Sequence, residues 1–430
     1  MPTVYIETYG CQMNVADTEL VMGTLGARGW TRVAQPERAD VILLNTCAIR
    51  DHAEARVLGR LGDLGRYKQA RPEVRIGVTG CMAQHLRGRL REQAPQVDLL
   101  VGPDGYRHLP DLLEADASDP HVGLRLDPDE TYAGLPVARA QGVRAWVTAM
   151  RGCDRFCTFC IVPYVRGRER SLPGPVLVEQ VRALAADGVP EVVYLGQTVN
   201  AYRHAEWDFA RLLRETAAVP GIRRIRFTSP HPTEMSPAVI DAMAECPQVM
   251  PQLHLPVQSG SDAVLARMQR DYTVAEYERL VDTLRARIPG LALSTDVIVG
   301  FPDETDADFA ATEALMARVR YDSAFLFRYS PREGTRAWKW DDSVPDAEKG
   351  RRLERLIALQ EAIAAERNRT LIGCERDVLV EGPAKRPDGW MTGKTPDFRT
   401  VVLPGPVAPG QEVRVRIESA TSHTLTGRPA

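Results

Sequence analysis

The chain has 430 residues, 44% of them hydrophobic, and 54 Lys and Arg against 57 Asp and Glu give a formal net charge of −3. That length fits about three domains without disulfide support. No stretch reaches the ~18 uninterrupted apolar residues of a membrane span, and the balanced charge excludes nucleic-acid binding by bulk positive charge while leaving a local basic surface open. The N-terminal MPTVYIETYG lacks a basic segment followed by an apolar core, so no secretory leader is expected and the cytoplasm is the expected compartment. There, eight cysteines are expected to be thiols or metal ligands rather than a disulfide framework.

Residues 1–116 alternate short β-branched runs (4–6, 41–44, 76–78, 97–101) with helical periodicity (17–27, 51–67, 83–93), which predicts an open parallel α/β sheet. Ligands gather at the carboxyl ends of such strands. Cys11, Cys47 and Cys81 each fall just after a strand. Alone, each reads as a small buried core residue; together they read as one site. Residues 117–142, acidic and scattered with Pro and Gly, read as a linker.

Residues 143–370 carry candidate strands at 145–150, 191–195, 222–228, 252–255, 292–299 and 323–327, with helices at 176–187, 209–219, 237–246, 274–287 and 306–318. About six strand-helix units predict a partial (β/α)6 barrel with active groups in the loops after its strands, closed by a long helix over 346–370. From 371 to 430 short strands (377–381, 400–403, 413–418) between Gly and Pro predict a small β-barrel, an architecture that often binds oligonucleotides.

The sharpest chemical signal is Cys153, Cys157 and Cys160, a C-x3-C-x2-C run directly after the first barrel strand. Three thiolates in so short a loop suit a 4Fe–4S cube, which normally takes four ligands. A missing fourth ligand leaves one iron open. The alternative is a zinc site completed by His204 or His231.

This run resembles the signature of the radical S-adenosylmethionine (SAM) enzymes. TYGCQMN (8–14), NTCAIR (45–50), TGCMAQ (79–84), LGQTVN (195–200), HLPVQSGS (254–261) and TDVIVGFPDE (295–304) narrow it. They resemble the methylthiotransferases, and among them those acting on dimethylallyladenosine in tRNA, over essentially the whole chain, with a C-terminal TRAM-like module. The resemblance implies two 4Fe–4S clusters, one on Cys153, Cys157 and Cys160 that chelates SAM, the other on Cys11, Cys47 and Cys81. It also implies SAM contacts from Gly196, Gln197 and Asn200, from Ser229, and from Ser294 and Asp296, with 297–300 beside the adenine; each of these polar residues otherwise reads as a loop-stabilising hydrogen bond. Implied partners are the tRNA anticodon stem-loop, an electron-donor protein and a sulfur donor, with no membrane and a monomeric chain. The segment 166–170, RGRER, reads equally as an RNA-backbone contact or a solvated surface. Leu172 stands where the family usually has Arg, which weakens an anion contact there. Cys246 and Cys374 read as structural. The rival readings are methylthiotransferases acting on threonylcarbamoyladenosine in tRNA or on a ribosomal-protein aspartate, and a non-catalytic iron–sulfur RNA-binding sensor.

Overall fold

A computed structural model describes residues 1–48, 51–115, 121–140 and 142–430. The chain opens with β1 (Thr3–Thr8), α1 (Gln12–Gly26), β2 (Thr31–Arg32), β3 (Val41–Thr46), α2 (Asp51–Ala70), β4 (Arg75–Gly80), α3 (Cys81–Leu86), α4 (Gly88–Gln93), β5 (Leu99–Val101), α5 (Leu109–Glu114) and β6 (His121–Gly123). The strands form one six-stranded sheet, order β2-β1-β3-β4-β5-β6, parallel throughout. All six residues of β3 are buried, as expected of a strand covered on both faces. Ile42 and Leu44 pack on one face with Val57 and Leu61 of α2, while Val41 and Leu43 pack on the other with Leu20 and Leu25 of α1.

Three features depart from the sequence reading. Helix α1 starts at Gln12 rather than 17, because Asn14 turns back to accept the Cys11 N–H at 3.2 Å, a local cap that apolar spacing does not reveal. The helix expected over 83–93 is broken at Arg87, whose φ is +51°. The segment expected as a linker instead adds β6 to the sheet and buries Glu130 and Tyr132. Glu130 binds Arg107, and the Tyr132 ring lies 3.4 Å from the guanidinium carbon of Arg151.

The central region runs β7 (Arg144–Thr148), β8 (Met150–Arg151), α6 (Val162–Arg166), β9 (Arg170–Ser171), α7 (Gly174–Ala186), β10 (Glu191–Leu195), β11 (Arg203–His204), β12 (Trp207–Asp208), α8 (Phe209–Ala217), β13 (Arg224–Phe227), α9 (Pro237–Glu245), β14 (Gln252–His254), α10 (Asp262–Arg267), α11 (Val274–Arg287), β15 (Ala292–Val299), α12 (Asp306–Val319), β16 (Ser323–Arg328) and α13 (Asp346–Arg369). Two three-stranded parallel sheets, β13-β10-β7 and β14-β15-β16, meet through the parallel bridge Ile225–Val249. The result is the expected partial barrel, with β7 and β16 as its edges. Strand alternation sorts its two faces. Val147, Tyr194, Phe227, Leu293 and Val299 point outward into the helix-covered core. Trp146, Val193 and Arg226 share one inner level, and Asp296 and Phe325 are inner neighbours across from them.

The N-terminal domain caps one side of this lumen. Met13 and Ala16 of α1 pack on Val193 and Leu195, with Cys11 and Trp146 alongside.

The chain ends in β17 (Glu375–Pro383), β18 (Trp390–Lys394), β19 (Thr400–Pro404), β20 (Glu412–Ala420) and β21 (Thr424–Pro429), a closed barrel in the order β17-β18-β19-β21-β20. It docks at the amino ends of the central strands, opposite the cysteine loops. Arg224 donates to the Lys394 carbonyl at 2.7 Å, and Arg226 donates to the carbonyls of Thr395 at 3.0 Å and Pro396 at 2.9 Å. Among the described residues no helix is long and apolar enough to cross a membrane.

Candidate active site

In the N-terminal domain, Cys11, Cys47 and Cys81 follow β1, β3 and β4, which are adjacent strands with Thr8 beside Asn45 and Thr46 beside Gly80. Between β1 and β3 the strand order reverses direction, the crevice where open α/β sheets take ligands. Two buried asparagines fix the loops: Asn14 donates to Asn45 Oδ1 and to the Thr46 carbonyl, both at 3.2 Å, and Asn45 donates to the Asn14 carbonyl at 2.9 Å. At Gly10 a Cβ would fall 2.3 Å from Asn14 Oδ1 and 2.7 Å from Cys47 Cβ, so only glycine lets the first loop close on the second. The Cys11 thiol is drawn down to about 6, chiefly by its hydrogen bond with Cys47. Burial pushes Cys81 up, and Arg166 opposes that shift.

Arg166 comes from the barrel. Its Nε lies 3.1 Å from Cys81 Sγ and its Nη2 lies 2.6 Å from Asp17 Oδ2. Its Nη1 and Asp17 Oδ1 are buried without a partner. The reading of 166–170 as an RNA contact or solvated surface is therefore corrected for two of its arginines. Arg166 and Arg170 are buried, and only Arg168 reaches solvent, beside Asp154. Arg170 and Arg151 converge on Asp104, which is fully buried. This ties the cluster loop to the N-terminal domain. Asp104→Ala is expected to destabilise the fold by about 3–5 kcal/mol, because it leaves two buried guanidiniums short of their anion; urea unfolding measures it.

Cys153, Cys157 and Cys160 lie in the loop between β8 and α6, closed by the antiparallel pairing of β8 with β9 and by Cys153 N–H to the Gly167 carbonyl at 3.1 Å. At Gly152, φ +77°, a Cβ would meet the Arg168 carbonyl oxygen at 1.9 Å. Between the cysteines, Thr158 is anchored to the carbonyls of Met268 at 3.1 Å and Arg267 at 2.8 Å. Cys153 Sγ pairs with Thr198 Oγ1 at 3.2 Å, and Arg270 donates to Cys157 Sγ at 3.5 Å. Burial raises Cys153, and pushes Cys160 up to about 12 with Cys157 adding to it. Soft sulfur donors of this kind select an iron–sulfur cluster or zinc. Neither histidine of the zinc alternative completes this loop: His204 is exposed on β11, and His231 turns its Nδ1 to Thr233 Oγ1 at 2.8 Å. Burial, aided by Arg270 and Arg155, lowers His231 to about 2.

The expected SAM contacts fall into two groups. Gln197 follows β10 with its Oε1 buried and unpaired, an acceptor suited to an ammonium group. Gly196 fits tightly, since a Cβ there would lie 2.7 Å from Met150. Ser229, at φ +58°, offers its carbonyl to the Val199 N–H at 3.3 Å. Asn200 is occupied: it donates to the His231 carbonyl at 2.9 Å and accepts its N–H at 2.8 Å, bracing one loop on the next. Ser294 and Asp296 both face His254, at 3.0 Å to Nδ1 and 3.3 Å to Nε2. The reading from sequence assigned no role to Arg166, Arg270 or His254 individually. Leu172 is buried, and its carbonyl accepts the Tyr202 hydroxyl at 2.7 Å. Cys246 and Cys374 stand apart, at the end of α9 and at the start of the C-terminal barrel.

A partial barrel with three cysteines in the loop after its first strand defines the radical SAM class. The Radical SAM superfamily model matches residues 147–316, while those for the Uncharacterized protein family UPF0004 and the TRAM domain match 3–102 and 369–430. The fold is shared with the radical S-adenosylmethionine methyltransferase TsrM from Kitasatospora setae, solved with tryptophan and a SAM analogue, at TM-score 0.57 and 13% identity over 76% of this chain and 73% of that one. The cobalamin-dependent S-adenosylmethionine radical enzyme OxsB gives TM-score 0.52 at 14% identity over 83% and 56%.

Full-length relatives narrow the class. The tRNA-2-methylthio-N(6)-dimethylallyladenosine synthase of Chlorobium limicola is 44% identical, covering 99% of this chain and 97% of its own length. Those of Acidithiobacillus ferrooxidans and Anaeromyxobacter dehalogenans are 46% and 47% identical, covering 100% and 99% of this chain and 98% and 93% of their own lengths. The chain belongs to the tRNA-2-methylthio-N(6)-dimethylallyladenosine synthase family.

Proposed function

We propose that this enzyme adds a methylthio group to carbon 2 of N(6)-dimethylallyladenosine, the base just 3′ of the anticodon in tRNA, using SAM and two 4Fe–4S clusters. The observation that carries the reading is that the N-terminal cysteine loops abut both the inner barrel wall and the helix that follows the barrel's own cysteine loop. Cys11 sits with Trp146, Val193 and Leu195 on the inner barrel wall, and Cys81 packs with Ile161 and Val165, just beyond Cys160.

Cys153, Cys157 and Cys160 would hold the cluster that chelates SAM, and Gln197 Oε1 would accept a hydrogen bond from the SAM amino group. Cys11, Cys47 and Cys81 would hold the second cluster, with the unpaired Nη1 of Arg166 as a spare donor beside it. When bound, the cofactors supply one-electron cleavage of SAM and the sulfur and methyl groups that are transferred. The barrel wall keeps the reacting atoms from bulk water. A single-stranded anticodon loop lets the base leave its stack without melting a helix. An electron-donor protein and a sulfur donor complete the partners of a monomeric, cytoplasmic enzyme, and the C-terminal barrel would grip RNA away from the lumen.

The decisive assay offers reconstituted protein, SAM, reductant and sulfide to unmodified, dimethylallylated and threonylcarbamoylated tRNA and to the ribosomal protein. Methylthio product is expected fastest on the dimethylallylated tRNA. A preference for either other modified substrate overturns the specificity, and absence of SAM cleavage leaves only the sensor reading. Mass analysis of tRNA nucleosides from cells lacking the protein should show the dimethylallylated base without its methylthio group.

A further inference from the structure

Phe325 and Phe327 are 55% and 36% exposed on an edge strand of the barrel. Register fixes where they face: Phe325 lies beside Asp296 and Phe327 beside Ile298. The alternating residues Ala324 and Leu326 pack into the outer core, on the side that α13 covers, so the two rings face the lumen. Helix α1 covers the opposite wall of that lumen.

Phe325 is held in place. Its ring meets His254 edge-on, with centroids 5.7 Å apart at 76°. His254 is itself engaged on both nitrogens, by Ser294 and Asp296. A ring oriented in this way offers a preformed apolar surface rather than a mobile one. Toward the cluster loop the surface continues, because Ile298, the neighbour of Phe327, packs with the same residues as Phe159, between Cys157 and Cys160.

We infer that Phe325 and Phe327 form the wall that reads the dimethylallyl group, and that Asp296 beside them excludes an anionic group at the same position. The inference rests on the proposed function and names the residues behind its substrate choice. In adenine, carbon 2 and the N6-bearing carbon flank N1. A base with carbon 2 beneath the cluster loop and its Watson–Crick edge toward β16 would lay its N6 substituent along that strand, past Phe327 toward Phe325. A branched five-carbon alkene has no hydrogen-bonding group to satisfy and gains by covering both rings. A threonylcarbamoyl group would bring its carboxylate beside the Asp296 carboxylate, a like-charge contact that the alkene does not make.

The test compares wild type with Phe325→Ala, Phe327→Ala, Phe325→Leu and Asp296→Asn. For each, kcat/KM is measured on dimethylallylated, unmodified and threonylcarbamoylated tRNA, and SAM affinity is measured by equilibrium titration. The Ala variants should lose about 10-fold or more of the preference for dimethylallylated over unmodified tRNA, the scale of an apolar contact of this size. Phe325→Leu should lie between. Asp296→Asn should raise the relative rate on threonylcarbamoylated tRNA. If wild type itself shows no preference, the proposed function fails. If wild type discriminates and the Phe variants keep its ratio, the wall is elsewhere. A ratio left unchanged with weakened SAM affinity would assign the rings to the cofactor and overturn the inference. Because the side chains are exposed, folding should not depend on them; should an Ala variant still fail to fold, Phe325→Leu decides by the same ratio.

Discussion

Replacing Cys11, Cys47 and Cys81 together with Ala is expected to lower iron from about eight to about four per chain, while SAM cleavage survives and methylthio product disappears. The reason is spatial division. These cysteines belong to the N-terminal sheet and its strand ends, whereas the loop that would hold SAM is closed by its own pairing, β8 with β9, and by Thr158 on α10's end. Removing the first set leaves the second loop's anchors in place. The converse variant, Cys153, Cys157 and Cys160 to Ala, is expected to retain about four irons and cleave no SAM. Iron analysis, Mössbauer spectroscopy and product chromatography read the three quantities separately. If both triple variants keep the full iron content, the assignment of one cluster to each trio is wrong.

Much of this arrangement was legible because it follows from period and spacing. The short apolar runs of β3 (41–44) and β10 (192–195), and those at the two ends of β15, read as buried strands in an alternation with helices, and a parallel alternation sends each following loop to one sheet edge. Placing Cys11, Cys47 and Cys81 together needed nothing more. What spacing could not deliver is contact between domains. RGRER has the composition of a solvated or RNA-facing surface, yet Arg166 and Arg170 are buried because their anions, Asp17 and Asp104, come from another domain, 149 and 66 residues away. The segment 117–142 has a linker's composition for a similar reason. Its Tyr132 is buried in the N-terminal core, stacked on Tyr106, with Arg151 of the barrel over its ring. Asn200 carried a signal for the cofactor by its motif, but the same amide also fits the backbone of His231 across 31 residues.

The same interdomain contacts make Arg166 the second point of large effect. It lies six positions beyond Cys160 in sequence, yet its guanidinium reaches Cys81 Sγ and the Asp17 carboxylate in the other domain. Arg166→Ala is expected to act in two ways. It strands a carboxylate that is 1% exposed, a loss of about 3–5 kcal/mol for a buried pair with one partner removed. It also withdraws the outer hydrogen bond to a proposed cluster ligand, a change that typically costs about 10- to 100-fold in metal affinity or activity. The double variant Asp17→Asn with Arg166→Gln keeps a hydrogen-bonded pair without burying an unmatched charge, so it should recover most of the stability. It should not recover the full affinity of the N-terminal trio, because a neutral amide donates a weaker hydrogen bond to thiolate than a guanidinium does. Urea unfolding and iron retention under a chelator measure the two effects independently. Recovery of both by the double variant would reduce Arg166 to a domain clamp, and recovery of neither would mean that its position depends on groups other than Asp17.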